Sequence, residues 1–397
     1  MSQLVRAEHF ATARNINRQI NESEHLNNLP VANSRPLYMG LDISNVCNVN
    51  CIFCLAHQNR KRASDPGAFR TPDLMDHFEP ILPFVSHATL SSYEALLNPW
   101  LDQFIARLRR HYTPFQLFSN GKGLTPELSE FLLANGLTSL WCSFHGAERK
   151  TYDSIMKGSD YEQVLANLMH MKHFSRKHNL NFELTLVFCA MRRNIEELPR
   201  YMALAHRVGA KNIQINYLLV TKEGTGLEHE AMCFHPELYD SMVIEAKRLG
   251  ARFGIRVGHQ RLFSEGLKSD SGPCYQPWTH MNISQQGAVT VCCGGCGIMG
   301  NLFESGFQQV WNSKRLQEFR ARVNSDNPPN ECRNCSRGRE NPWDIKNHIT
   351  YLKGCSEEKR QSVIEELTRS APPSVHAETL AHLAVAPTVP SNCCTTI

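Results

Sequence analysis

The chain has 397 residues with 42% hydrophobic and 20% charged content, room for one large domain and a smaller one. Its formal net charge of +4 is small for this length and excludes a broad nucleic-acid or membrane footprint, and no apolar run reaches the roughly 18 residues that span a bilayer. Fifteen cysteines without a secretory segment point to a reducing compartment, the cytoplasm, where thiols bind metal instead of pairing.

Residues 1–35 place His9, Phe10, Ile16, Ile20 and Leu26 at helical spacing, which predicts an amphipathic lead-in helix outside the core. From Pro36 strands and helices alternate through residues 36–225. Strands are expected at 37–44, 88–92, 115–119, 139–144, 182–191 and, last, 213–220. Helices are expected at 71–85 with Thr71 as N-cap, at 99–110, at 125–135 closed by Gly136, in segments up to 178, and at 195–208 ended by Gly209. Six strands separated by helices imply parallel βαβ units with right-handed crossovers, able to curve into a partial (β/α)6 barrel with ligands at the carboxyl ends of its strands. Residues 226–272 read as a linker region with a helix at 236–249 and a strand-like 255–258. In 273–350 a β-hairpin is expected at 283–291 with a Gln-Gly turn, then a periodic helix at 306–322. The remaining 351–397 read as a helix and, from 370, a disordered tail rich in Ala, Pro, Thr and Ser that ends near the vicinal pair Cys393 and Cys394.

Chemistry enters right after the first strand. The stretch LDISNVCNVNCIFCLAH carries Cys47, Cys51 and Cys54 in a C-x3-C-x2-C arrangement. Three thiolates on a tight loop can hold three irons of a [4Fe-4S] cluster, because cysteine sulfur is the soft, deprotonable ligand these clusters demand. The fourth iron is left for a small molecule, with only His57 nearby as a further protein donor. Structural zinc needs four protein ligands and suits this trio less well. A second group, Cys274 and Cys292 in C-x12-G-x4-C followed by Cys332 and Cys335 in C-x2-C, brings four soft ligands together around the expected hairpin. Four such ligands suit a [4Fe-4S] cluster, with structural zinc as the competing occupant, and the resemblance set out next implies that this would be a single auxiliary cluster. Cys293 and Cys296 are left over in the run CCGGCG, as candidate catalytic thiols, as stand-ins for Cys292, or as binders of a soft substrate.

The first trio resembles the radical S-adenosylmethionine (SAM) superfamily, and the second group resembles its C-terminal SPASM or twitch cluster module, including the M-G-N-L segment at 299–302 and the W-N-S-x-R-L-x-x-F-R run at 311–320. The resemblance implies SAM bound at the open iron, an electron passed into its sulfonium, and release of a carbon radical. It implies further that Glu94, in LSSYEALLNP, stands where the family's GGEP glutamate accepts a hydrogen bond from the SAM ammonium. The family's two glycines are here Ser92 and Tyr93 and its proline is Ala95, a departure that bears on close backbone approach to the ligand. Asn120 falls in a T-N-G-like turn, and Ser143 and His145 in an S-x-D-G-like segment where histidine replaces the acid. Ser143 is expected near SAM, His145 as a ligand contact or proton donor, and Arg193 as a clamp on the SAM carboxylate. After Cys335 only Cys355 follows before the tail, fewer cysteines than a full two-cluster module carries.

The expected fold is therefore α/β, a partial (β/α)6 radical SAM barrel with a small α+β SPASM/twitch-like cluster domain. The expected function is reductive cleavage of SAM and radical modification of a small-molecule, natural-product-type substrate, since 35 leading residues are too few for a leader-peptide module. The expected partners are that substrate and a reductase or flavodoxin/ferredoxin-type electron donor. Three rivals remain: transfer of the 3-amino-3-carboxypropyl group to a soft acceptor such as arsenite, modification of a peptide, and a cluster-bearing sensor or scaffold that does not turn over.

Overall fold

The computed structural model describes residues 3–54, 60–265, 272–292, 295–333, 335, 342 and 345–369. A long helix α1 (Gln3–Leu26) leads into β1 (Tyr38–Asp42), in which Met39 and Leu41 are buried and alternate with outward-facing neighbours. There follow β2 (His87–Ser91), α2 (Leu101–Arg110), β3 (Phe115–Ser119), α3 (Pro126–Ala134), β4 (Leu137–Ser143), α4 (Arg149–Ile155), α5 (Tyr161–Lys177), β5 (Glu183–Ala190), α6 (Leu198–Val208) and β6 (Asn212–Tyr217). The six strands pair in parallel and in chain order, the partial (β/α)6 barrel expected from the sequence. Local signals set the boundaries. Thr125 caps α3 by accepting from the Leu128 N–H with Pro126 behind it, and Gly209 ends α6 in the left-handed region at φ 79°.

Several expectations need correction. The stretch 71–85 is not one helix but two 3-10 segments, Pro72–His77 and Glu79–Phe84, because Pro80 and Pro83 cannot donate to a helical ladder; Thr71 bonds Asp73 and caps nothing. Strand β6 stops at Tyr217 and is not the last: α7 (Pro236–Phe253) crosses over to β7 (Arg256–His259), parallel to β6, so the stretch read as a linker extends the sheet. At the other edge β8 (His280–Ile283) pairs with β1 in parallel, and β9 (Ala288–Thr290) and β10 (Gly300–Asn301) continue antiparallel. Both cysteine groups are thus built on one ten-stranded sheet. The predicted helix at 306–322 divides at Asn312 into α8 (Leu302–Trp311) and α9 (Lys314–Val323), Ser313 capping the second. Helix α10 (Glu357–Thr368) follows, and the tail from 370 lies outside the described residues.

Helix α1 packs through polar residues. Asn17, Asn21 and Glu24 are buried, while Ile16, Ile20 and Leu26 are exposed. Asn21 donates to the Trp278 carbonyl (2.6 Å) and Arg14 to the carbonyls of Val85 and His111, so hydrogen bonds instead of an apolar stripe hold the helix. The W-N-S-x-R run completes this seam. Asn312 pairs both ways with the Ala32 backbone, and the buried Arg320 lies over Trp311 and donates to the carbonyls of Pro277 and Trp311.

Candidate active site

The sheet has two unlike faces. Met39, Leu41, Leu90, Leu117, Leu140, Leu186 and Ile215 are buried on one. The residues between them, Gly40, Asp42, Thr89, Ser91, Gln116, Ser143, Gln214 and Asn216, are only partly buried and mostly polar, with the rings of Phe118 and Trp141 in contact among them. Close approach is designed into this second face: a Cβ on Gly40 would meet Asn282 Oδ1 at 2.5 Å, so the glycine lets that amide lie across the strand.

The cysteine loop leaves the carboxyl end of β1. Asn50 and Cys51 pair antiparallel with Lys157 and Met156, and the Cys54 N–H donates to the Cys51 carbonyl (3.1 Å), which fixes the short loop. Cys47, Cys51 and Cys54 line one cavity of about 180 Å³ together with Arg60, Tyr93, Ser119, Asn120, Ser143 and His145. A larger cavity of about 390 Å³, between Arg35, Phe84 and Phe307, is remote from these thiols. Burial, reinforced by Cys54 and Cys47, pushes the Cys51 thiol up to about 12. A soft metal centre that takes the three as thiolates removes that cost, so the trio fits an iron-sulfur cluster. Among the described residues no three donors are placed to hold a single metal ion.

The predicted side chains fall into three groups. Asn120, Ser143 and His145 are brought to the cavity. Asn120 Nδ2 donates to Asn48 Oδ1 (2.9 Å) and approaches Cys47 Sγ at 3.8 Å. His145 is 3% exposed, and burial drives it down to about 3, so the ring is neutral. Its Nδ1 accepts from the Cys189 N–H (3.1 Å), which leaves the proton on Nε2 as a fixed donor. Glu94 is fully buried one layer behind the cavity. Its carboxylate accepts from Ser119 Oγ and the Asn120 N–H, both at 2.8 Å, and its own N–H donates to the Val46 carbonyl, stitching the turn to the cysteine loop. Burial pushes its carboxyl up to about 7. Arg193 is a correction: Glu230 holds its guanidinium at 2.7 Å, away from the cavity, because 193 begins a turn already anchored by that carboxylate. The cavity's arginine is Arg60, which sequence reading missed; it bonds the Val49 carbonyl and Asn50 Oδ1, and only its place in the chain, six residues past Cys54, hinted at it. The pair Ser92 and Tyr93, replacing the family's glycines, takes φ of 77° and 36°, the left-handed region that glycine favours.

The second thiol group lies at the other end of the sheet. Cys274 precedes β8, whose first residue pairs with Tyr38 at the amino end of β1, and Cys292 follows β9, which runs back toward that end. The length of β1 separates the two ends by roughly 17 Å. Asn324 at the close of α9 accepts from the Cys274 N–H (2.7 Å), and the Cys332 thiol is pushed up to about 12 by burial and by Cys292, Cys274 and Cys335 around it. Cys296 is buried against the same group. Cys142 and Cys189 are buried on β4 and β5. Cys293, His57, Cys393 and Cys394 lie outside the described residues.

A barrel with a thiol trio at its carboxyl end and a thiol quartet at its amino end defines an iron-sulfur radical enzyme. Residues 41–215 match the Radical SAM superfamily model and residues 274–336 the SPASM iron-sulfur cluster-binding domain, so the chain belongs to the radical SAM superfamily. It is 25% identical over 319 residues to the AdoMet-dependent heme synthase of Methanosarcina barkeri, covering 71% of this chain and 83% of that one. It is 24% identical over 300 residues to the mycofactocin maturase MftC of Mycobacterium tuberculosis, covering 72% and 73%. In fold it is similar to Streptococcus suis SuiB bound to its precursor peptide SuiA, with TM-score 0.57 and 14% identity over 78% of this chain and 72% of that one. Its cofactors are a SAM-binding [4Fe-4S] cluster, an auxiliary [4Fe-4S] cluster and SAM. Among the described residues no helix is long and apolar enough to cross a membrane.

Proposed function

We propose that this enzyme modifies a peptide, seated on the polar sheet face between the two thiol groups. The observation that carries the reading is the placement of the trio and the quartet toward opposite ends of one sheet, one face of which is rich in hydroxyl and amide side chains. Such groups donate and accept in pairs, as the peptide bond does. Two relatives support this occupant over the small molecule expected from the sequence: MftC is named a maturase, and SuiB was solved with a precursor peptide.

When bound, the first cluster supplies the electron that breaks a C-S bond of SAM and yields a carbon radical. The chain's own residues bind and orient. Cys47, Cys51 and Cys54 hold that cluster, and Cys274, Cys292, Cys332 and Cys335 hold the second. Arg60 offers a cation to the SAM carboxylate in place of Arg193, and Ser143 and the His145 Nε2 proton offer donors beside it. Glu94 acts through others as a positioning residue, holding Ser119 and Asn120 against the cysteine loop. The test is anaerobic incubation with SAM, dithionite and the short peptides encoded beside the gene. Formation of 5'-deoxyadenosine with a mass change in one peptide supports the reading; methylthioadenosine as the SAM product overturns it in favour of 3-amino-3-carboxypropyl transfer.

A further inference from the structure

We infer that Asp42 selects the peptide substrate by binding a basic side chain, lysine or arginine, whose hydrocarbon stem lies on the rings of Phe118 and Trp141. The inference rests on the proposed seating of a peptide on the polar face of the sheet.

The four residues concerned form one row across that face. Asp42 on β1 is the register partner of Ser91 on β2, and Phe118 on β3 is the partner of Trp141 on β4. Leu90 and Leu117 pair between β2 and β3, so Ser91 and Phe118, one residue further along, continue the row on the same side. The order from β1 to β4 is carboxylate, hydroxyl, ring, ring. Neighbouring strands lie roughly 4.8 Å apart, which puts Asp42 and Phe118 about 10 Å from each other. That span is comparable to an extended basic side chain with one hydrogen bond at its end. Lysine and arginine have the matching build, an apolar stem that covers hydrophobic surface and a cationic head that seeks an acceptor.

Asp42 stands apart from the other carboxylates of the barrel. Its Oδ1 accepts from Ser91 Oγ at a long 3.3 Å, and among the described residues no cation pairs with it and no backbone N–H donates to it. Glu94, by contrast, has both oxygens taken by Ser119 and Asn120 and holds a turn. Burial pushes the Asp42 carboxyl from 3.8 up to about 6, against the pull of Ser91, because its charge is taken from water with no cation to offset it. A basic group arriving on a ligand supplies that offset. The rings at the other end of the row are equally unusual for their place. Phe118 is 41% exposed on a face of mostly polar residues, in contact with Trp141 at 5.4 Å between centroids. Exposed apolar surface rimmed by polar groups marks a contact site. Phe118 also lines the cavity of Cys47, Cys51 and Cys54, so a stem laid on it brings that residue of the peptide beside the SAM-binding cluster.

The test is equilibrium binding, by calorimetry without oxygen, to the reconstituted full-length protein saturated with SAM. The probes are acetyl-Gly-Gly-Lys-Gly-Gly-amide and its norleucine counterpart, which keeps the stem and lacks the charge. Wild type is expected to bind the lysine peptide about tenfold or more tighter, the worth of a charge-assisted hydrogen bond. Asp42→Asn, which keeps the shape of the side chain, is expected to abolish that preference, and Phe118→Ala to weaken both peptides alike. Equal binding of the two peptides by wild type overturns the inference and leaves the peptide reading standing, as does a lysine preference that survives in Asp42→Asn. SAM carries a cation of its own, so SAM affinity is followed in the same variant by EPR titration. It is expected to stay unchanged, and the SAM-responsive signal certifies a folded barrel; a tenfold loss assigns Asp42 to the SAM ammonium and overturns the inference. Asp42→Ser gives the same decision should the asparagine variant not fold. Binding of neither peptide by wild type that binds SAM overturns the peptide reading itself, a result distinct from the others.

Discussion

Replacement of Glu94 by glutamine separates two opposing effects at a fully buried carboxyl. Glutamine keeps an oxygen for Ser119 but sets an NH2 group against the Asn120 N–H, losing a 2.8 Å bond and leaving a buried donor unpaired, at a cost of about 1–3 kcal/mol at any pH. Against this, burial raises the carboxyl of the folded chain from 4.5 to about 7. A group whose folded value lies above its unfolded value favours the fold in its protonated form, so its contribution is intact below 4.5 and is lost as pH rises through about 7. Above both values ionised Glu94 costs about 3 kcal/mol, and at about pH 5.5 it costs about half that. Glutamine does not titrate. Glu94→Gln should therefore destabilise less at about pH 8 than at about pH 5.5, by about 2 kcal/mol, because every other titrating group cancels in the comparison. Urea unfolding of the reconstituted protein under anaerobic conditions, followed by tryptophan fluorescence, reads the difference. Equal destabilisation at the two pH values would refute the argument that desolvation governs Glu94.

Two further outcomes follow from the cavity. Ser92→Gly relieves a left-handed backbone that a side chain adopts at a cost, and should stabilise the chain by about 1 kcal/mol; an unchanged or lower melting temperature would mean that the Ser92 side chain contributes more than its backbone loses. Arg60→Met should weaken SAM binding about tenfold or more with the iron count unchanged, since a charged hydrogen bond contributes about 1.5–3 kcal/mol, while Arg193→Met should leave SAM binding as it is. SAM titrations monitored by EPR check both, and the reverse pattern would return the carboxylate clamp to Arg193.

What the sequence disclosed and what it concealed divide along a physical line. Thr125 ahead of Pro126 and Gly209 at a helix end are local signals, and each marks a helix boundary where expected. The two cluster-binding domains were legible for the same reason, since thiol chemistry is carried by the residues themselves. The surroundings of Arg193 and Glu94 were not legible, because the location of a charge is set by its partner. Glu230, 37 residues away, takes the guanidinium, and Ser119 and Asn120 draw the carboxylate behind the cavity wall. Helix α1 misled for a related reason, as its hydropathy pattern suggested an apolar seam, yet buried carbonyls of Trp278 and Val85 select asparagine and arginine instead. The polar face was hidden altogether. Half of each strand reads as solvent-facing, and only the pairing of β8 onto β1, across more than two hundred residues, joins those hydroxyls and amides to the part of the sheet that carries the second thiol group. That pairing also makes the peptide reading intelligible. A chain of repeating N–H and C=O groups can run along such a face from one cluster toward the other, whereas a compact metabolite would leave much of the polar lining unpaired.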